Sequence, residues 1–346
     1  MIGVFARRWL SRLELAYIRV LYHGWLFPGR KPEKARIDAS TLCQLRCEGC
    51  SFQKSNHRGL GGGYLRLLDF ESFLNDNPQI KRVELSNYGE IFLNPEFISI
   101  LQCAFEHGVS LEARMGVNFN TVTTAQLEAL VDYRFSFLSI SIDGASQSSY
   151  GQYRIGGDFD RVIDNIKQLQ ALKKARGSHY PELSWQYVLN QYNEEEIAKA
   201  KQMANDLGIP IRFKLNFLES YKPVLEDAIR EQTGLECITR EEYLQKKREP
   251  YLNDDCLMPF DDPQFNWDGA LLGCNRIKTR AFEANLFSDG LKRALRNEKY
   301  VRMKELLLQK YPEKERYADL PCWKCRLRHG RVQNHKRVSL PWRPFF

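Results

Sequence analysis

Cys43, Cys47 and Cys50 are the residues of this chain whose types and spacing are best suited to metal chemistry. The spacing C-x3-C-x2-C directs three thiolates around one point, and thiolates select zinc or iron–sulfur clusters. Structural zinc sites and cubane iron–sulfur clusters are both usually closed by four ligands. Three local ligands, the first cysteine set, therefore indicate a cluster with one iron left open to a small molecule. A zinc site closed by His57 is the alternative.

Four more cysteines form a second cysteine set, with residues 256 and 274 followed by the pair Cys322 and Cys325 at C-x2-C spacing. Residues 265–272 read as two short strands about an Asp-Gly turn, which would hold the first two of these cysteines near one end of a hairpin. These four thiolates together would fill all four ligand positions of a metal site. The same pattern describes a structural zinc ribbon.

The elements that must position the first cysteine set are alternating strands and helices. Six strands are predicted, at residues 35–40, 82–87, 111–117, 137–142, 183–189 and 211–215. Helical patterns fall between them, which favours a parallel sheet with helical crossovers and an α/β fold.

Polar residues follow these strands at the end where parallel βα units place their functional groups. The first cysteine set follows strand one, and Gly89-Glu90 follows strand two. Strand three ends in Asn118-Phe119-Asn120, and strand four ends in Ser141-Ile142-Asp143. Four strand ends are thus expected to converge on one rim of the sheet.

Together these motifs resemble the radical S-adenosylmethionine (SAM) superfamily, and residues 35–217 resemble its partial (β/α)6 TIM-like barrel. The resemblance implies that the first cysteine set holds a 4Fe–4S cluster whose open iron binds SAM. It also implies SAM contacts at Gly89, Glu90, Asn118, Asn120, Ser141, Asp143 and Arg154. Glu90 would meet the SAM ammonium group, and Arg154 would pair with its carboxylate, for which a guanidinium fork is suited. An arginine on a solvated loop is the alternative for residue 154.

One position departs from the family pattern. Gly49 stands where radical SAM enzymes usually carry an aromatic residue facing the adenine. Either the backbone of Gly49 serves there alone, or Phe52 or Tyr88 supplies the stacking surface.

Residues 256–346 resemble a twitch domain, the shortened form of the SPASM domain, joined to the barrel by a helical bridge over 218–255. The second cysteine set would then hold one auxiliary 4Fe–4S cluster, with the zinc ribbon as the alternative. Of the two remaining cysteines, Cys103 lies in an apolar helix pattern and is expected in the core. Cys237 is either an inert buried thiol or a hydrogen-atom donor.

The resemblance implies an enzyme that reductively cleaves SAM to a 5′-deoxyadenosyl radical, which abstracts a substrate hydrogen atom. A closed auxiliary cluster favours electron relay, and hence oxidation (dehydrogenation) of a small polar, sugar-like or peptidyl substrate. A flavodoxin- or ferredoxin-type protein would supply the electron. The alternatives are an epimerase that uses Cys237 and a non-enzymatic zinc-binding interaction protein.

Composition and the two terminal segments further limit which partners and locations we expect. The net charge of +8 over 346 residues favours anionic small partners, and no nucleic-acid partner is expected. Residues 1–34 form a basic amphipathic helix, either docked on the main domain or touching a membrane surface. No spanning run or signal peptide is present, so we expect a cytoplasmic protein.

The glycine-rich stretch 58–63 lacks the end of a P-loop and reads as a flexible loop. The basic tail after residue 324 is either a grip for an anionic substrate or a solvated end.

Overall fold

The computed structural model describes residues 4–21, 32–47, 49–50, 59–248, 251, 256–309, 311–325 and 327–328. For residues 4–9, 11, 19, 21 and 219 it describes the backbone only.

A seven-stranded, wholly parallel sheet forms the centre of the described residues, in the order β6-β5-β4-β3-β2-β1-β7. The strands are β1 Lys34–Ile37, β2 Arg82–Glu84, β3 Ser110–Val117, β4 Phe137–Ser141, β5 Glu182–Val188, β6 Ile211–Lys214 and β7 Gln264–Phe265. The six predicted barrel strands are confirmed. Because β6 and β7 end the order without pairing to each other, the sheet is an open, partial barrel.

Helices separate the strands, as the alternating pattern predicts. Those between β1 and β6 are Leu67–Asp76, Phe97–Glu106, Thr124–Asp132, Gln147–Tyr153, Phe159–Ala175 and Ile197–Asp206. After β6 come Glu226–Thr233 and Arg240–Lys247, then Met258–Asp261, Leu286–Asp289, Leu291–Ala294, Glu298–Leu308 and Lys314–Tyr317. Short 3-10 helices lie at Ile91–Leu93, Glu194–Glu196, Glu219–Tyr221 and Pro321–Lys324.

The core lies on both faces of the sheet. All five residues of β4 are buried, which matches a parallel strand covered on both sides. Trp185 and Tyr187 of β5 are fully buried, and the Trp185 indole donates to the carbonyl of Ile142 at 2.6 Å. Each large apolar side chain removed from water contributes about 1.5–3 kcal/mol, so this core fixes where the strand ends lie.

The strand β7 was not predicted as part of the barrel sheet. It pairs with β1 in parallel, placing Arg36 beside Gln264 and Ile37 beside Phe265. The predicted hairpin also forms, because Phe265 bridges Leu271 in antiparallel fashion. One short strand therefore serves both the hairpin and the barrel, and it attaches the C-terminal part to the strand that precedes the first cysteine set.

In the described part of the glycine-rich stretch, residues 59–63, Gly59, Gly61 and Gly62 are exposed, whereas Leu60 and Gly63 pack against the rest of the chain. The expectation of a flexible loop stays a prediction. The Leu60 side chain is fully buried, and its carbonyl accepts from the side chains of Asn266 and Arg280 at 3.0 and 3.1 Å. A Cβ at Gly63 would lie 2.5 Å from the Trp267 ring. Glycine at position 63 thus lets the hairpin approach the barrel.

The N-terminal helix Val4–Leu21 is docked on the rest of the chain. Leu15 and Ile18 are buried, and the Tyr311 backbone N–H donates to the Glu14 carboxylate at 3.1 Å. Its other face exposes Leu13, Tyr17 and Val20. None of the helices in the described residues has the length and apolar character needed to span a bilayer.

Candidate functional site

The first cysteine set follows β1 on a loop whose turn is closed by a bond from the Cys50 N–H to the Cys47 carbonyl, at 2.9 Å. Cys47 is buried, and Cys43 and Cys50 are partly exposed. The three thiols lie within electrostatic range of one another. Among the described residues, no group of three or more His, Cys, Asp or Glu side chains is arranged to hold a metal ion as it stands. His57 and Phe52 lie outside the described residues.

Burial favours the protonated form of two of these thiols, Cys43 and Cys47, by raising the pKa of each. It raises the pKa of Cys43 to about 12, and the nearby Glu90 charge adds to the rise. Burial also raises the pKa of Cys47, although the Arg154 charge opposes it. A coordinating metal deprotonates a thiol outright, so metal binding here must displace protons.

An ion pair sits directly against Cys47. Arg154 directs Nε and Nη2 at the Asp143 carboxylate, each at 2.6 Å, and its Nη1 lies 3.8 Å from Cys47 Sγ. Burial by itself lowers the pKa of Arg154, but the charges of Asp143 and Cys47 outweigh it and hold that pKa above its usual range. The alternative of a solvated arginine at residue 154 is therefore wrong. Because Asp143 already balances Arg154, the pair adds little net charge beside the cysteines.

Gly89 and Glu90 lie against the loop that leads into the first cysteine set. Gly89 has φ of +70°, and a Cβ there would lie 2.4 Å from the carbonyl of Ser40, so both the turn and the close approach require glycine. Glu90 is buried and accepts from the backbone N–H of Asn118 at 2.6 Å. Burial raises the pKa of Glu90 to about 7. The carboxyl thus faces the cysteine loop and titrates near neutral pH.

The third and fourth strand ends meet the same loop. Asn118 Nδ2 lies 3.4 Å from Cys43 Sγ, so this amide contacts a cysteine directly. The Asn120 amide is engaged inside the protein, donating to the Tyr150 phenol at 2.8 Å and accepting from the Asp158 N–H at 2.7 Å. Ser141 Oγ accepts from Gln186 at 3.3 Å. The rim predicted from the strand ends is therefore formed.

Two aromatic residues fill the space beside Gly49, and sequence reasoning missed both of these roles. A Cβ at Gly49 would lie 2.5 Å from the Tyr153 hydroxyl and 3.4 Å from the Phe217 ring. Phe217, which follows β6, is 49% exposed. Tyr153 directly precedes Arg154 in the sequence, but only the distance reveals that it borders Gly49.

Tyr88, one of the candidates for stacking, instead holds the C-terminal part against the barrel. Its hydroxyl donates to the carbonyl of Asn275 at 2.8 Å. Lys278, three residues further along, interacts electrostatically with Cys50, and burial lowers the pKa of its ammonium group. The segment 274–278 therefore covers one side of the first cysteine set and begins at a member of the second.

The second cysteine set is gathered around Cys322. The pKa of this thiol is raised by burial, then by its proximity to Cys274, Cys325 and Cys256. Tyr300 packs beside the set, with a Cβ at Gly273 placed 2.6 Å from its ring, and its hydroxyl donates to the carbonyl of Pro259 at 2.7 Å. All nine cysteines of the chain keep the thiol form. Four sulfur donors, of which Cys256 and Cys322 are buried and Cys274 and Cys325 partly exposed, are the ligand type of a zinc or iron–sulfur site.

Arg328 lies beside this set, a placement that its position in a basic stretch of the chain does not predict. It is 6% exposed, and its charge interacts with Cys322, Cys325 and Cys256. Its guanidinium lies over the Trp323 ring, with 5.0 Å between the guanidinium carbon and the ring centroid. Of the two alternatives for the basic tail, the solvated end is therefore wrong for residue 328, and the grip for an anionic substrate stays a prediction. The other basic residues of that tail, Arg326, Arg331, Lys336, Arg337 and Arg343, lie outside the described residues.

The two other cysteines are also buried. Cys103 is in the core, as predicted, with its Sγ 3.7 Å from His107 Nδ1. Cys237 lies between the helices Glu226–Thr233 and Arg240–Lys247, where the Lys247 charge interacts with it. This position is in the helical segment after β6, and its role as a hydrogen donor stays a prediction.

Comparison with known proteins agrees with this geometry. No protein-family model matches the chain. The GTP 3′,8-cyclase of Alkaliphilus metalliredigens is 25% identical over 186 residues, which cover 51% of this chain and 54% of that protein. A Pyrococcus furiosus protein, the tungsten-containing aldehyde ferredoxin oxidoreductase cofactor-modifying protein, is 21% identical over 257 residues, 70% of each chain. The chain thus spans about half the length of the cyclase.

The solved structure of Streptococcus suis SuiB bound to S-adenosylmethionine superposes with a TM-score of 0.58 at 14% identity, covering 85% of this chain and 69% of SuiB. SuiB has also been solved bound to its precursor peptide SuiA. The fold of this chain is therefore the partial barrel of the radical SAM enzymes, and its relatives in sequence and its neighbours in structure are radical SAM enzymes.

Proposed function

We propose that this chain is a radical SAM enzyme that oxidises a small polar, sugar-like or peptidyl substrate. The observation that carries the proposal is the meeting of the first cysteine set with Glu90, Asn118 and the Asp143–Arg154 pair at the ends of four parallel strands. These residues suit a cluster, since three thiols converge while their neighbours neutralise one another.

With a 4Fe–4S cluster on the first cysteine set, one electron from a flavodoxin- or ferredoxin-type donor would split SAM into methionine and a 5′-deoxyadenosyl radical. That radical would take a hydrogen atom from the substrate, leaving a substrate radical and 5′-deoxyadenosine. Loss of one further electron and one proton then gives the oxidised product. The chain's own task is to bind, orient and shield these species.

Two side chains would hold SAM. Glu90, ionised, would accept from its ammonium group. Arg154 is fixed by Asp143 and retains donors on the side of Cys47, from which it would reach the SAM carboxylate. The remaining strand-end residues, Gly89, Asn120 and Ser141, would position the backbone and these groups.

The adenine would stack on the aromatic residues that border Gly49. Tyr153 and Phe217 occupy the volume that a side chain at residue 49 would need. Arg240 lies over the Phe217 ring, with its guanidinium carbon 5.5 Å from the centroid, and so limits the ring's movement. An aromatic surface in this place would make up for the glycine.

The second cysteine set would hold the auxiliary 4Fe–4S cluster of a twitch domain over residues 256–346, and that cluster would accept the electron from the substrate radical. The hydrogen bond from Tyr88 to Asn275 joins the residue after Cys274 to the residue before Gly89, at the rim of the first site. SuiB, a structural neighbour, binds a precursor peptide, which supports a peptidyl substrate as one of the candidates.

The experiment is anaerobic incubation of iron-reconstituted protein with SAM and a reductant. We expect 5′-deoxyadenosine, and deuterium carried into it from a labelled substrate would identify that substrate. The Cys47→Ala variant is the negative control and should make no 5′-deoxyadenosine. The Cys103→Ala variant is the matched control and should still make it. Colourless protein holding zinc and making no 5′-deoxyadenosine would overturn the proposal in favour of a zinc-binding interaction protein.

The epimerase prediction differs in one residue. It requires Cys237 to return a hydrogen atom, so Cys237→Ala would stop epimerisation and divert the substrate radical to oxidised product. An oxidative enzyme would show unchanged turnover in that variant. Product analysis by mass spectrometry separates the two outcomes.

A further inference from the structure

Arg328 is a buried positive charge that has thiols where a carboxylate would be expected. Only 6% of the residue is exposed, and its Nε has no hydrogen-bond partner. Its Nη1 reaches the carbonyl of Trp323 at 3.5 Å, a long and weak contact. Among the residues that the structure describes, Arg328 forms no salt bridge with an Asp or Glu.

Burying a charge is costly unless an opposite charge compensates for it. The charged groups that the guanidinium faces belong to the second cysteine set, namely Cys322, Cys325 and Cys256. Neutral thiols would compensate poorly, whereas metal-bound thiolates carry net negative charge and accept hydrogen bonds at sulfur. Among the residues that the structure describes, metal-bound thiolates of the second cysteine set are therefore the groups suited to balance the charge of Arg328.

We propose that Arg328 is the counter-ion of the metal-loaded second cysteine set and raises the reduction potential of the auxiliary cluster. This inference deepens the proposed function and rests on it. A one-electron reduction adds one negative charge to the cluster, and a fixed positive charge nearby favours that added charge. Charge, burial and hydrogen bonds to sulfur are the means by which proteins tune cluster potentials.

The Trp323 ring holds this charge in place. The Arg328 guanidinium lies 5.0 Å from the ring centroid, and residue 323 stands between the two cysteines of the C-x2-C pair. A planar guanidinium stacks on an aromatic face in a way that an ammonium group does not. The same turn that supplies two ligands thus fixes the orientation of the arginine towards them. A higher potential makes the cluster a better electron acceptor for the substrate radical.

The test uses the full chain with Cys43, Cys47 and Cys50 all replaced by alanine, so that the auxiliary cluster can be titrated alone. Its reduction is followed by electron paramagnetic resonance at defined potentials. In Arg328→Gln we expect the ratio of reduced to oxidised cluster to fall about tenfold at a fixed potential, which is a shift of ~59 mV for one electron. Arg328→Lys, which keeps the charge, should shift less. Arg296→Gln removes an exposed charge from the same part of the chain and should shift nothing.

An iron-loaded Arg328→Gln variant with an unchanged potential would overturn the proposal. If Arg328→Gln fails to retain iron, the Arg328→Lys variant decides the question. Iron retained in Arg328→Lys supports a requirement for positive charge. Iron lost from both variants shows that the arginine has a packing role and overturns the proposal. Zinc in the second cysteine set would also overturn it. That last result would leave 5′-deoxyadenosine formation at the first cysteine set intact, so failure here is distinguishable from failure of the proposed function.

Discussion

Each of the two cysteine sets is accompanied by one arginine, half-buried at residue 154 and buried at residue 328, but the two arginines are balanced differently. Arg154 contacts Cys47 and is paired with Asp143 at 2.6 Å. Arg328 faces the second set, and no carboxylate among the described residues pairs with it. Asp143 therefore neutralises the charge of Arg154 at the first site. At the second site, the proposed metal-bound thiolates would neutralise the charge of Arg328.

This difference agrees with the ligands proposed for each site. SAM carries a sulfonium, an ammonium and a carboxylate group and so has a net positive charge, which a site with an arginine left without a counter-charge would accommodate less well. A closed auxiliary cluster receives no cation, and its negative charge must be stabilised from within the protein. The charge beside each cysteine set would thus distinguish the proposed SAM site from the proposed auxiliary cluster site.

The strongest way to break the comparison is to remove one cysteine from each set. We expect the reconstituted chain to hold roughly eight irons and each variant, Cys47→Ala or Cys322→Ala, to lose about four. Cys47→Ala should abolish 5′-deoxyadenosine formation, whereas Cys322→Ala should keep SAM cleavage and lose substrate oxidation. Iron analysis and product assays check this, and unchanged iron in Cys322→Ala would remove the distinction between the sites.

The second prediction removes the carboxylate partner of Arg154, so that the arginine of the first site, like Arg328 among the described residues of the second, has no carboxylate paired with it. Asp143→Asn leaves Arg154 buried without its counter-charge, and breaking a buried pair in this way costs about 3–5 kcal/mol. Urea denaturation of the variant should show that loss in the free energy of unfolding. Asp164→Asn, which removes an exposed partner of Lys167, is the control and should cost far less. Equal losses in both variants would show that the Asp143–Arg154 pair has no special weight.

The third prediction concerns pH and applies to the first site alone. Burial raises the pKa of Glu90 to about 7, so its carboxyl is mostly protonated below that pH and cannot pair with an ammonium group. As pH rises through 7 the carboxylate forms, and SAM binding should tighten; Kd should be about tenfold weaker at pH 6 than at pH 8. Calorimetry on the anaerobic, iron-loaded chain measures the Kd for SAM at each pH.

Glu84 provides the matched control for this pH effect. Burial also raises its pKa to about 7, but its carboxylate is bonded to Ser86 and to the Arg114 N–H. Glu90→Gln should flatten the pH dependence of SAM binding, whereas Glu84→Gln should leave it in place. A flat profile in the unmodified chain would contradict a direct role for Glu90.

The smallest expected effect concerns the contact that joins the two sites. Tyr88→Phe removes the hydrogen bond to the carbonyl of Asn275 and should cost about 1 kcal/mol. Amide hydrogen exchange over residues 274–278 should then accelerate. Tyr187→Phe, which removes a bond of 2.7 Å to Asn193 inside the barrel, should cost a similar amount without that local change. Unchanged exchange in Tyr88→Phe would show that this bond does not hold the segment.

The sequence predicted the six barrel strands and the rim of the first site because both follow local rules. Strand positions follow apolar periodicity, and the ends of parallel strands must meet on one edge of the sheet. Gly89 with Glu90 and Ser141 with Asp143 were found in this way. The convergence of the second cysteine set was likewise expected from its spacing.

Other features depend on contacts between distant parts of the chain, which periodicity does not encode. The two-residue strand β7 is too short to show a period, and it joins the sheet through hydrogen bonds to β1. Arg328 looks like part of a basic tail until its burial against Cys322 is seen. Tyr153 borders Gly49 only because the helix Gln147–Tyr153 ends beside the cysteine loop.

The pairing of β7 with β1 has a consequence for any shortened form of this chain. Removing residues from 256 onward would leave the backbone donors and acceptors of β1 without the partners that Gln264 and Phe265 supply. An uncovered sheet edge is a template on which other chains can add strands. A barrel produced without its C-terminal part should therefore self-associate through β1, so its insolubility would report an exposed strand and not a misfolded barrel.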